Sequence, residues 1–72
     1  MIVESVSNNV HKLRSAWGTT QEELAREVGV SRQTIIAIEK GNYVPSVLLA
    51  MKIAKFFERP VEEIFHIKHD VK

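Results

Sequence analysis

The chain contains no cysteine among its 72 residues. Disulfides and thiolate metal sites are therefore excluded, and so small a fold must find stability without a sulfur staple. Self-association then becomes a natural source of additional burial. The missing thiols also suit a reducing compartment. Long hydrophobic runs are absent as well. The longest strictly apolar stretch, Val47 to Met51, stops at Lys52, far short of the roughly 20 residues that span a bilayer. No secretory, lipidation or transit pattern is visible. These absences point to a soluble, cytoplasmic protein with no membrane partner. Prolines number two and glycines three, too few for a flexible linker or a low-complexity tract. The expectation is one domain over 1–72, since a chain of this length builds a single small core.

Charge of one sign is also scarce. Ten Lys and Arg against nine Asp and Glu leave a formal net charge of +1. A dedicated non-specific binder of nucleic acid is usually far more basic, so a polyanionic partner would have to meet positive charge concentrated on one face.

What is present is a series of short helical patterns separated by turn residues. Ser7 or Asn8 can cap a first helix that runs to about Ala16, with Val10 and Leu13 on one face and Gly18 after it. Thr20 and Glu23 form a T-x-x-E capping box for a second helix, whose buried stripe is Leu24, Ala25 and Val28. Ser31 caps a third helix carrying Ile35 and Ile38. Ser46 caps a fourth, with Leu49, Ala50, Ile53, Ala54 and Phe57 inward. Arg59-Pro60 breaks that helix, and Val61 to Phe65 reads as a short fifth. Met1 to Val6 is either an edge strand or a frayed end. The tail Phe65 to Val71 alternates partly and, as a strand, would pair antiparallel with it. The expected fold is all-α: a compact five-helix domain, with an antiparallel pair of terminal strands left open.

Residues 21–40 carry the functional signal: QEELAREVGVSRQTIIAIEK. Two helices that cross at about 90–120° through a tight turn make specific steric demands. A small residue must stand where they meet, and Ala25 is there. The turn needs a residue tolerant of positive φ, and Gly29 is there. Leu24, Val28, Val30, Ile35 and Ile38 supply a shared apolar seam.

The sequence resembles the Cro and phage-repressor type of helix-turn-helix regulator, the XRE family. The likeness extends beyond residues 21–40: Val10-His11-Lys12-Leu13-Arg14 looks like the family's first helix, and Ser31-Arg32-Gln33-Thr34-Ile35 with Ile38-Glu39-Lys40-Gly41 looks like its recognition helix. Pro45-Ser46 followed by Leu49-Ala50, Ile53-Ala54 and Ile64-Phe65 looks like its last two helices, so the resemblance covers roughly 8–66. In size the chain is similar to short stand-alone dimeric repressors of the cytolysin-regulator type. The first seven residues run longer than such members need, and Trp17 and Thr19 depart from the family pattern. One reading has the indole folding over space that Thr19 leaves.

The resemblance implies double-stranded DNA as partner, with the third helix in the major groove. Arg32 and Gln33 stand in its first turn, where arginine suits guanine O6 and N7 and glutamine suits adenine N6 and N7. Thr34 and Ser31 can reach base or phosphate, although Ser31 is a helix cap first. Ile36 and Ala37 complete the exposed face, where an isoleucine can meet a thymine methyl. Gln21 resembles a phosphate-contacting glutamine, and Lys40, Asn42 and Tyr43 can grip the backbone. Arg14 and Glu39 are implied to form an ion pair tying the first helix to the third.

Each reading has a plainer counterpart. With the motif set aside, Arg32 and Gln33 read as an ordinary solvated helix face, and Ile36 suits a protein–protein contact as well as it suits DNA. His66 and His69 lack thiolate or third-ligand company, so no metal site is expected. No catalytic constellation, cofactor motif or small-molecule site is evident. Leu48, Phe56, Phe57, Phe65 and Ile67 exceed what so small a core absorbs, and this apolar surplus suggests a homodimer formed at the C-terminal end, about 56–72, with Phe56, Val61, Ile64, Phe65 and Ile67. Such a dimer would match a palindromic operator and act as a repressor. An antitoxin, a restriction-modification controller and an interaction module that has lost DNA binding share the same domain.

Overall fold

A computed structural model describes residues 2–71; Met1, part of the expected first strand, and Lys72 lie outside the described residues. The order is β1 (Ile2–Asn8), α1 (Val10–Trp17), α2 (Gln21–Val28), α3 (Arg32–Glu39), α4 (Val47–Phe57), a 3-10 turn (Val61–Glu63) and β2 (Phe65–Val71).

Local chemistry accounts for most helix ends. Thr20 and Glu23 close a reciprocal capping box: Glu23 N donates to Thr20 Oγ1 at 3.0 Å, and Thr20 N donates to Glu23 Oε1 at 2.9 Å. Ser46 caps α4 through Leu49 N at 3.1 Å. At the start of α1 the cap residue itself, Asn9, makes no side-chain cap bond. Asn8, one position earlier, accepts from Val10 N at 3.1 Å instead. Between α2 and α3 the chain turns through Gly29 at φ +76°. A Cβ built there would meet nothing within 4 Å, so the demand for glycine is one of backbone conformation alone.

The core is a single cluster. Leu24, Ile35, Ile38, Ile53, Phe57 and Ile64 fill its centre, joined by Val10, Ala25, Val28, Leu49 and Ala54. Ala50, expected inward, is half-buried. Trp17 lies against Phe56 and Phe57, with ring centroids 5.9 and 5.5 Å away. The indole thus covers the C-terminal end of α4, with 47% of its surface still exposed.

The all-α, five-helix expectation is corrected here. The described residues form four α-helices and a two-stranded antiparallel sheet. The segment expected to form a fifth helix makes only one 3-10 turn, closed by Ile64 N to Val61 O at 2.9 Å. Five residues after a proline are too few to offset the cost of helix nucleation. Ile64 enters the core after that turn, and its carbonyl accepts from Asn9 N at 2.9 Å. This bond sets the chain alongside the other terminus, and pairing follows from Asn8↔Phe65 out to Ile2↔Val71. The ribbon helps draw the molecule out to 39 Å along its longest axis, against 23 and 22 Å across.

Candidate nucleic-acid interface

The orientation of α3 is set by a polar cluster at its C-terminal end. Arg14 reaches across from α1 and forks onto Glu39, with Nε to Oε2 at 2.8 Å and Nη2 to Oε1 at 3.2 Å. Both side chains are nearly covered, 12% and 6% exposed. Two-point geometry of this kind fixes direction as well as distance. Arg14 Nη1 also donates to the carbonyl of Thr19 at 3.0 Å, holding the loop before α2. Nη2 also lies 2.9 Å from His11 Nδ1. Burial pushes the Glu39 carboxyl up, but the bonds from Arg14 and Gln21, the arginine's charge and His11 outweigh it and hold the group below the usual carboxylate range. The bond to Glu39 raises Arg14 in turn.

Gln21 belongs to this cluster. Its Nε2 donates to Glu39 Oε1 at 3.0 Å, so one donor of the side chain expected at a phosphate is engaged inside the protein. The amide keeps its oxygen and a second N–H for an outside partner.

The first turn of α3 points outward. Arg32 and Gln33 are both exposed. Arg32 shares an open cleft with Gln21, Glu22, Thr20 and Arg14. Gln33 lines a neighbouring groove with Thr34, Ala37, Asn42 and Tyr43. Ser31 Oγ accepts from Thr34 N at 3.3 Å and lies 3.2 Å from the Thr34 hydroxyl, so the two hydroxyls are engaged with each other. Ile36 and Ala37, expected to complete the exposed face, are both half-buried. Lys40 is exposed but stands apart from Asn42 and Tyr43, in a cleft beside the ribbon.

The residues expected at a dimer interface are spread differently. Ile64 has no exposed surface, because the protomer's own core takes it. Phe56, Val61 and Phe65 are half-buried against that core, and Ile67 alone of the five is exposed. Sequence reasoning counted Leu48 in the apolar surplus but not Val44, Val47 and Met51, which join it in a strip 57–77% exposed. Its residues recur at helical spacing, but only the packed structure shows which stripe of α4 the core leaves uncovered. The bridging role of Asn8, whose Nδ2 donates to Ile38 O at 2.9 Å, had no local signal beyond a capping preference.

Among the described residues no group of histidine and acidic side chains is arranged to hold a metal ion. Among the same residues no helix is long and apolar enough to cross a membrane.

The geometry agrees with the chain's similarities. A helix-turn-helix family model matches residues 10–64. The HTH-type transcriptional regulator YgzD of Bacillus subtilis is 49% identical over 65 residues, covering 90% of this chain and 98% of that one. The HTH-type regulator MJ0272 of Methanocaldococcus jannaschii is 54% identical over the same shares of each chain. Among solved structures, the restriction-modification controller protein C.AhdI of Aeromonas hydrophila superposes with a TM-score of 0.71 at 29% identity, over 76% of this chain and 83% of that one. The chain belongs to the XRE-type helix-turn-helix family of DNA-binding transcriptional regulators.

Proposed function

We propose that the protein is a homodimeric repressor that reads a palindromic operator in duplex DNA through the major groove. The observation that carries this reading is the outward, uncovered placement of Arg32 and Gln33 on a helix whose far end is clamped by Arg14 and Glu39. A helix held at a fixed angle presents its side chains without further backbone ordering, so less freedom is lost on binding. In this reading Arg32 and Gln33 contact bases, and Ile36 and Ala37 offer apolar edges beside them. Ser31, Thr34, Gln21, Lys40, Asn42 and Tyr43 meet the sugar-phosphate backbone. Repression follows from occupancy, since a dimer seated on a promoter excludes other proteins from it. No cofactor or small-molecule ligand enters the proposal.

The second copy fits the strip Val44, Val47, Leu48 and Met51, four exposed apolar residues at the start of α4 and just before it. Its two-fold axis would set the reading helices side by side for half-sites about 34 Å apart. The ribbon's exposed apolar residues suit a second copy less well, because Glu4 and His69, 3.8 Å apart, interrupt that face.

Selection of bound duplexes from a random pool tests the proposal, with an inverted repeat as the expected product. Enrichment of single half-sites, or none, would overturn it. Sedimentation should show a dimer that Leu48→Asp dissociates. A restriction-modification controller is the second reading, favoured by the likeness to C.AhdI; an operator lying beside restriction and modification genes would select it.

A further inference from the structure

We infer that the terminal β-ribbon is a second contact to the sugar-phosphate backbone of duplex DNA, made by Lys68 with Ser5 and Ser7 beside Lys40. The inference rests on the duplex-binding reading above and extends its footprint beyond the helix-turn-helix.

The register places Ser5 opposite Lys68 and Ser7 opposite His66. Directly opposed residues share a face, so these four stand together on one side of the ribbon. Ser5, Ser7 and Lys68 line a cleft of about 340 Å³ with Lys40, Gly41 and the inner carboxylate Glu39. Its chemistry is that of a phosphate seat: two ammonium groups and two hydroxyls. Lys40, Lys68, Ser5 and Ser7 engage in no ion pair or side-chain hydrogen bond among the described residues. Glu39 weakens the cleft little, because Arg14 and Gln21 already hold its oxygens. Asp70 lies farther out on the same face, opposite Val3 and away from α3.

The cleft is also fixed relative to the reading helix. Asn8, at the inner end of β1, donates to the carbonyl of Ile38, and Asn9 N bonds Ile64 O. A duplex backbone that reaches Lys40 would therefore meet Lys68 at a constant offset. Such contacts set register and orientation without reading sequence.

The test is salt-dependent binding to the selected operator. Each lost phosphate contact should reduce the slope of log K against log salt by about 0.9. Lys68→Gln should lower it by that amount per protomer and weaken operator and unrelated duplex equally. Lys68→Arg should keep the slope, and Lys55→Gln, on α4 away from this cleft, should leave it unchanged. Urea midpoints matching the unaltered protein would establish that the variants fold. Intact operator binding with an unchanged slope in Lys68→Gln overturns the ribbon contact alone. Failure of the unaltered protein to bind any duplex overturns this contact and the reading beneath it.

Discussion

The side-chain amide of Asn8 donates to the carbonyl of Ile38 at 2.9 Å, tying the end of the first strand to the last turn of the reading helix. Its oxygen meanwhile accepts from Val10 N, so one side chain joins β1, α1 and α3. Asn8→Ala should cost about 1–2 kcal/mol, from a lost cap and a lost bond to the Ile38 carbonyl, which still accepts from Gly41 N at 3.0 Å. Asn8→Asp keeps the cap oxygen and loses the donor, so it should fall between the two. Urea unfolding measures both; a loss for Asn8→Asp equal to that of Asn8→Ala would mean the cap contributes nothing.

Stability should decline in acid through Glu39. Its carboxyl is held below the ordinary range, so near that range the folded chain binds fewer protons than the unfolded one. The contribution is complete above the ordinary carboxylate pKa of about 4.3 and is lost as pH falls through the folded value. Glu23, lowered chiefly by its bonds with Thr20, acts in the same direction. Glu39→Gln should remove part of the acid decline. At neutral pH it should cost about 2–3 kcal/mol, somewhat less than severing a fully buried pair, because it leaves the Arg14 charge unmatched. Unfolding curves at pH 7 and in acid decide the matter, and an unchanged pH profile in the variant would remove Glu39 from the account.

Two backbone positions with positive φ should respond in opposite directions. Gly29→Ala puts a side chain at φ +76° and should destabilise by about 1–2 kcal/mol, although the added methyl touches nothing. Glu58, which ends α4 at φ +55°, is the only non-glycine residue with positive φ among those described. Glu58→Gly should therefore stabilise by up to about 1 kcal/mol. Thermal midpoints measure both, and a lower midpoint for Glu58→Gly would contradict the strain argument.

At the reading face, Gln33→Ala should relax preference at one position of each half-site and cost about 1–3 kcal/mol against the preferred base. Lys40→Gln should instead weaken all duplexes alike. Competition binding with single-base operator variants separates the two, and a uniform loss in Gln33→Ala would move that residue from base contact to backbone contact.

Much of the architecture was legible along the chain because its causes are local. Caps at Thr20, Ser31 and Ser46 act within one helical turn, and the positive φ at Gly29 follows from glycine's missing Cβ. The apolar periods of α2, α3 and α4 likewise mark the residues that pack together. The outward placement of Arg32 and Gln33 was legible because they lie in the first turn of a capped helix within that pattern. Tertiary packing alone decided the rest. Ile64 left the surface because the core had a space for it, and the strand that follows exists because its carbonyl met Asn9 across more than 50 positions of sequence. Gln21 was drawn onto Glu39, Trp17 onto two phenylalanines, and Lys68 beside Lys40. No periodicity encodes such meetings, since each depends on how separate helices and strands are placed against one another.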